Sequence, residues 1–92
     1  MIVLIREAAY EDPRHIRAWI SRDKPAAAES VIDRIFESIE RLGDVPGLGH
    51  QGRAAGTFEW VVVGLPYVVI YTVDHALDEL QVIAVFHGKQ DR

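Results

Sequence analysis

The sequence predicts an α+β fold: a short N-terminal strand, an antiparallel helical hairpin, and then a three- to four-stranded antiparallel meander. Three observations lead to this order. An aliphatic run opens the chain, apolar residues then repeat at three- and four-residue spacing, and three apolar runs with short links fill the second half. Because short links make neighbouring strands antiparallel, the last three runs form a meander.

The first strand and the first helix occupy the opening quarter of the chain. Residues 2–5 are aliphatic and are followed by charge, as in a short buried strand. Asp12 is a good N-cap and Pro13 a favoured first helical residue, so a helix is expected to start there. A helix that begins near Glu7 and is kinked at Pro13 fits the sequence as well.

The second helix has the clearest pattern. Apolar residues repeat at helical spacing over 27–42, and Gly43 is expected to end the helix. The link between the two helices, around 23–25, is short. A short link favours two helices packed side by side in opposite directions.

The meander follows a loop, 43–56, that holds five glycines and one proline. A short strand is expected within it at Arg53-Ala54-Ala55. Residues 58–63, 67–73 and 80–86 read as the three main strands. The last six residues are polar and are expected to form an exposed tail or a frayed strand end.

Size and composition limit the kind of protein. With 92 residues and 49% hydrophobic content, the chain is expected to form one domain, 1–92, with one core. The absence of cysteine excludes disulfides and thiolate metal sites and favours a cytoplasmic protein. The apolar start is too short for a membrane span or a secretory signal. No histidine pair has metal-ligand spacing, so neither a metal nor a cofactor is expected, and His15, His50 and His75 are expected to be solvated.

The strand at 67–71 raises a packing problem. Its residues are apolar or aromatic on both faces, the pattern of a strand that is covered on both sides. Two helices on one side of a sheet cover only one face. We therefore expect a second polypeptide on the other face, unless sheet curvature and the loop 43–56 hide these side chains.

The order of elements and the residues within them resemble the RelE/ParE superfamily of toxins from type II toxin-antitoxin, or plasmid stabilisation, modules, and are closest to the ParE branch. The resemblance covers nearly the whole chain. It rests on AAYED at 8–12 with Ile16 and Ile20, PAAA at 25–28, IFESIERL at 35–42, PGLG at 46–49, Gly52-Arg53, Gly56-Thr57, PYVVIY at 66–71 and VFHGKQ at 85–90. The chain departs from the family pattern at Pro13, where an aliphatic residue is usual, and at Phe58, where arginine is common.

The resemblance implies a cognate antitoxin that wraps the toxin as a peptide or helix over the sheet. It also implies one of two targets: DNA gyrase for ParE-like members, or messenger RNA on the ribosome for RelE-like members. A degenerate member without toxicity remains a third reading. We expect the antitoxin or the target to contact Arg53, Trp60, Tyr67, Tyr71, His87 and Lys89.

A nuclease of this fold would need a general base, a general acid and a cation around one phosphodiester. On paper Glu59, His87 and Arg53 could fill these roles if all three lay on one face of the sheet. Glu59 is expected instead to face solvent, and His87 to be a strand-end or interface residue. Arg53 could equally form a structural ion pair or contact the target.

Charge favours the binding role. Residues 57–92 contain two basic residues, Lys89 and Arg92, and five acidic ones. A protein that binds RNA usually concentrates basic groups on one surface. Charge therefore favours the ParE-like branch, and the resemblance to that branch implies a gyrase poison that acts by binding. The alternative is the RelE-like, metal-independent endoribonuclease.

Overall fold

The computed structural model describes residues 1–6 and 25–88. Five strands and one α-helix account for most of them: β1 (Ile2–Ile5), α1 (Pro25–Asp44), β2 (His50–Gln51), β3 (Phe58–Val61), β4 (Tyr67–Asp74) and β5 (Glu79–His87), with a 3-10 turn at Pro46–Leu48 between α1 and β2. The α+β class is confirmed. The predicted first helix, including the question of its start at Pro13, lies outside the described residues.

The sheet has the order β1-β5-β4-β3-β2. Strands β2 to β5 form the predicted antiparallel meander, each paired with the next along the chain. Strand β1 returns to the far edge and pairs with β5 in parallel, with Ile2 opposite Glu79 and Ile5 opposite Val82. The N-terminal strand thus completes a single five-stranded sheet.

Three predictions about boundaries are wrong. The strand predicted over 58–63 ends at Val61, because a turn follows in which the Leu65 N–H donates to the Val62 carbonyl. The short strand in the loop is His50–Gln51, not the predicted Arg53-Ala54-Ala55. Those three residues belong to a tight turn, in which the Gly52 N–H donates to the Thr57 carbonyl and the Thr57 N–H to the Ala54 carbonyl. The helix also passes through Gly43 and ends at Asp44. A residue without a side chain fits at 43, because a Cβ there would lie 2.6 Å from Cγ2 of Val3 in β1.

The core lies between α1 and one face of the sheet. The helix contributes four residues to it, and β4 and β5 contribute most of the rest: Ile32, Ile35, Ile39, Leu42, Tyr67, Val69, Tyr71, Leu80, Val82 and Val85. We call this sheet face the inner face, and the face turned away from α1 the outer face. No helix in the described part of the chain is both long and apolar enough to span a bilayer.

A β-bulge divides the long β4–β5 pairing. Ile70 pairs with Ala84 and Tyr71 with Val82, so Ile83 has no residue opposite it. One extra residue in β5 resets the alternation of its side chains. As a result Val85 and Val82 both reach the inner face, where each is buried.

Candidate partner-binding face

The outer face is mainly apolar at one end and polar at the other. Because directly paired residues point to the same side of a sheet, the register gives its members. They are Ile2, Leu4, His50, Glu59, Val61, Val68, Ile70, Thr72, Asp74, Glu79, Gln81, Ala84 and Phe86. Val68 is buried and Ile70 and Phe86 are half-buried, whereas Val61, Leu4 and Ile2 are 50%, 43% and 60% exposed.

Glu59 is buried on this outer face, which corrects the expectation that it faces solvent. Only 7% of the residue is exposed. Its Oε2 accepts a hydrogen bond from the Arg53 backbone N–H at 3.3 Å, and the side chain lies beside Gly52. The Glu59 side chain therefore folds back over the turn at 52–57 and fixes its shape. Arg53 itself is exposed on that turn.

His87 lies on the inner face at the end of β5. It pairs with Tyr67, and the two rings meet edge to face with their centroids 5.4 Å apart. Glu59 pairs with Ile70, which is three residues further along β4 than Tyr67 and therefore points to the opposite side. The structure thus separates the predicted base from the predicted acid by the thickness of the sheet.

Tyr67 and Tyr71 are four residues apart in β4 and so share one face of the sheet, and that face is the inner one. Tyr67 is 4% exposed and Tyr71 is fully buried. The Tyr71 hydroxyl donates to the Pro46 carbonyl and accepts from the Gly49 N–H, so it ties β4 to the segment after α1. Burial raises the pKa of both phenols, and at Tyr71 the hydrogen bond from Gly49 offsets part of the rise.

The burial of these rings answers part of the packing problem. On the inner face, α1 and the segment 46–49 cover the tyrosines, so no second polypeptide is needed there. Trp60 is also on this face, half-buried against the core, and Phe58 stacks on Tyr71 with centroids 5.6 Å apart. Contacts of Trp60, Tyr67 and Tyr71 with an antitoxin or a target stay predictions. The exposed apolar side chains lie on the outer face.

The remaining candidates are dispersed. His50 is exposed on β2 and His75 on the β4–β5 turn, as expected for solvated histidines, while His15 and Lys89 lie outside the described residues. Over residues 1–6 and 25–88, no three histidine or carboxylate side chains gather as a metal site.

Sequence reasoning missed the part of the outer face that β1 supplies. Ile2, Leu4 and Arg6 alternate with inward-facing Val3 and Ile5, so they line the outer face at its edge. The Arg6 Nε donates to Oε1 of Gln81 at 3.1 Å. The sequence holds no signal for this, because all four residues of β1 are aliphatic and read as a strand buried on both sides; their alternation between exposed and half-buried is seen only in the structure.

Comparison with known proteins places this fold. The model of the family described as "ParE toxin of type II toxin-antitoxin system, parDE" matches residues 3–92. The chain belongs to the ParE toxin family. A curated relative, Y4kP of Sinorhizobium fredii (strain NBRC 101917 / NGR234), carries a name that makes it a candidate toxin. It is 32% identical over 75 residues, which are 82% of this chain and 75% of the relative.

Solved structures of toxin-antitoxin systems share the fold of this ParE-family chain. The chromosomal ParDE system of P. aeruginosa matches with a TM-score of 0.84 and 18% identity, over 95% of each chain. The intact E. coli RelBE complex matches with a TM-score of 0.70 and 15% identity, over 99% of this chain and 98% of the other. The RelBE2 complex of Mycobacterium tuberculosis matches with a TM-score of 0.62 and 21% identity, over 94% and 95%. These TM-scores show a common fold.

Proposed function

We propose that this toxin acts by binding DNA gyrase in the cytoplasm, and that a cognate antitoxin neutralises it by covering the outer face of the sheet. The observation that carries the first part is the placement of Glu59 and His87 on opposite faces. An acid and a base for RNA cleavage must both reach one phosphodiester, within about 3 Å of the protons that they transfer. Two residues separated by a sheet cannot do so.

The burial of Glu59 and its hydrogen bond also argue against a role in RNA cleavage. Its Oε2 already accepts a hydrogen bond from the Arg53 N–H, and the residue is buried. A carboxylate that stabilises a turn in this way is not directed at a substrate. Arg53, the third member of the nuclease set, is held by that turn near Glu59 and not near the β4–β5 end at which His87 stands.

The outer face supports a protein partner. Exposed Val61 lies in one cross-strand row with buried Val68 and half-buried Phe86, and half-buried Ile70 lies in the next row. Contiguous apolar side chains that are partly exposed on a small domain commonly mark an interaction surface. A polypeptide laid across β3, β4 and β5 would remove these side chains from water. The burial of apolar area contributes about 25 cal/mol per Å².

The test compares two activities of the purified toxin. Gyrase supercoiling of plasmid DNA is measured with the wild-type toxin and with His87→Ala, and cleavage of ribosome-bound messenger RNA is measured with the same preparations. We expect both proteins to inhibit supercoiling and neither to cleave the message. Cleavage by the wild type that is lost in His87→Ala would overturn the binding mechanism in favour of the ribonuclease.

The antitoxin part has its own test. The protein encoded by the adjacent reading frame is co-expressed with the toxin, and the complex is isolated. Val61→Lys should weaken the complex, whereas Val63→Lys, at a 71% exposed position beyond the end of β3, should not. Equal weakening by both substitutions would show that the outer face is not the contact surface.

A further inference from the structure

The turn between β3 and β4, residues 62–66, displays an apolar side chain to solvent. Val63 is 71% exposed, the highest value among the exposed large apolar side chains of the described residues. Val61, the last residue of β3, is 50% exposed, whereas Val62 between them is buried. Covering such side chains is favourable, because it removes apolar area from water. The turn is therefore a candidate contact for another protein.

The backbone of the β3–β4 turn has a fixed shape. The Leu65 N–H donates to the Val62 carbonyl at 3.0 Å. Gly64 has a φ of 77°, a conformation that glycine adopts without strain. The Gly88 N–H donates to the Pro66 carbonyl and so joins the turn to the residue after β5. These contacts hold the turn in one conformation.

Arg34 connects the turn to the helix. Its Nη2 donates to the Val63 carbonyl, and a Cβ on Gly64 would lie 2.8 Å from the same nitrogen. The guanidinium of this α1 residue therefore lies against the turn. Arg34 is itself exposed, so the hydrogen bond orders a long side chain at an entropic cost. A turn that is already ordered loses less entropy when a partner binds it, which strengthens binding.

A groove beside the turn extends this surface. Its volume is about 510 Å³, and it lies between α1 and the turn. Charged residues of both signs line its helix side, and valines line its turn side: Arg34, Glu37, Arg41 and Asp44, with Val62 and Val63. Protein interfaces commonly combine an apolar centre with a polar rim. The turn and the groove together have both parts.

We propose that the β3–β4 turn is the part of the toxin that contacts gyrase. Val63 enters an apolar pocket of gyrase, Arg34 holds the turn in position, and the charged side chains of the groove meet polar groups at the rim of that pocket. This inference rests on the proposed gyrase target and names the surface that meets it.

The form of the turn favours gyrase over a second copy and over the antitoxin. Two copies joined through turns of this size would bury far less than the roughly 1,200 Å² that specific interfaces need. Strand and helix segments bind along sheet edges and in grooves. An exposed apolar side chain on a rigid turn instead fits a pocket in a large folded protein, which can surround the turn and the groove together.

The position of the turn also accounts for neutralisation. Val61 belongs to the outer face, which is the surface proposed for the antitoxin. Val63 is two residues further along the chain, a distance of at most about 7 Å. An antitoxin that covers Val61 therefore occupies space that a gyrase pocket around Val63 needs.

One pair of variants tests the contact. Val63→Lys should raise the toxin concentration that half-inhibits supercoiling by at least about tenfold, as expected for the apolar centre of an interface. Its complex with the protein from the adjacent reading frame should stay as tight as that of the wild type. Leu77→Lys is the matched control, since Leu77 is 63% exposed on the β4–β5 turn. It should inhibit gyrase as the wild type does.

Arg34 is a positioning residue, and its variants should follow a different order. Arg34→Ala removes the hydrogen bond to the turn and should weaken gyrase inhibition, but less than Val63→Lys does. Arg34→Lys keeps a donor and should retain more inhibition than Arg34→Ala. Both variants should bind the neighbouring protein normally. A loss of gyrase inhibition and of this binding in equal measure would mean that Arg34 acts only on the fold.

A fluorescent label gives a reading that does not depend on inhibition. The chain has no cysteine, so Val63→Cys and Leu77→Cys each accept a single environment-sensitive fluorophore. Purified gyrase should shift the emission of the label at Val63→Cys to shorter wavelength, because the label leaves water. The label at Leu77→Cys should keep its emission.

The failure of this inference is distinguishable from the failure of the proposed target. If the wild type neither inhibits nor binds gyrase, the target fails and the contact with it. If the wild type inhibits gyrase, Val63→Lys inhibits equally and the label does not respond, only the contact is overturned. Loss of the neighbouring protein by Val63→Lys would assign the turn to the antitoxin. A label shift that depends on toxin concentration alone would assign it to a second copy.

Discussion

The hydroxyl of Tyr71 donates a 2.8 Å hydrogen bond to the carbonyl of Pro46, across 25 residues of sequence. The same oxygen accepts from the Gly49 N–H at 2.9 Å. One side chain in the centre of the sheet therefore satisfies two backbone groups of the segment that leads from α1 to β2. Because both backbone groups are partly buried, they find their hydrogen-bond partner in Tyr71 more than in water.

Tyr71→Phe should therefore destabilise the fold. It leaves the Pro46 carbonyl and the Gly49 N–H without their partner, and each such loss costs about 1–3 kcal/mol. Urea unfolding followed by tryptophan fluorescence measures the change. Tyr67→Phe is the matched control, since the Tyr67 hydroxyl has no side-chain hydrogen bond within the described part of the chain, and it should change stability by less. Equal losses would contradict the role given to Tyr71.

Stability should also fall at high pH. Burial raises the pKa of Tyr67 and Tyr71 above the ordinary value of 10.0. Below pH 10 the folded and unfolded chains both keep these protons, so the full stability is present. As the pH rises above 10, the unfolded chain loses them first, and the free energy of unfolding falls until the folded pKa is passed. Tyr71→Phe should show a shallower fall between pH 10 and 12, measured by urea unfolding at each pH.

Gly49 should not tolerate a side chain. A Cβ there would collide with the hydroxyl and ring of Tyr71, which cannot move without losing its hydrogen bonds. Gly49→Ala is expected to lower the unfolding free energy by about 1–3 kcal/mol, as overpacking does. Gly47→Ala is the control, because no atom lies within 4 Å of its added Cβ. A neutral Gly49→Ala would show that this contact is looser than the geometry indicates.

Glu59 should contribute to stability through the turn at 52–57. Glu59→Ala removes the acceptor of the Arg53 N–H and is expected to cost about 1–3 kcal/mol. Glu59→Gln keeps an oxygen acceptor and should cost less. Glu37→Ala, on the exposed side of α1, should stay within about 0.5 kcal/mol of the wild type. Thermal unfolding of the wild type and the three variants ranks their stabilities. A Glu59→Ala variant as stable as the wild type would contradict the structural role of Glu59.

The sequence predicted those elements whose signals are local. Apolar spacing located α1, and the apolar run at 67–71 located β4. The even spacing of Tyr67 and Tyr71 places both rings on one face of that strand. Two-residue β2 left no such signal, because a pair of polar residues among glycines has no periodicity. The parallel pairing of β1 with β5 joins residues more than 70 positions apart, and nothing near Ile2 specifies it.

The candidate site was only partly predictable for the same reason. That Glu59 lies opposite to Phe58 and Trp60 follows from strand alternation. Its burial does not, since this depends on the 52–57 turn folding back over it. The relation between Glu59 and His87 needs the β3–β4–β5 register, and the inward direction of Tyr67 and Tyr71 needs the side on which α1 packs.

The central claim is that this ParE-family chain works without acid–base chemistry of its own. The most direct measurement is gyrase supercoiling with the wild type and with the double variant Glu59→Gln, His87→Ala, each first checked for folding. We predict that both inhibit gyrase to a similar extent and that neither cleaves ribosome-bound message. A wild type that leaves gyrase unaffected but cleaves the message, with cleavage abolished in the double variant, would contradict the account.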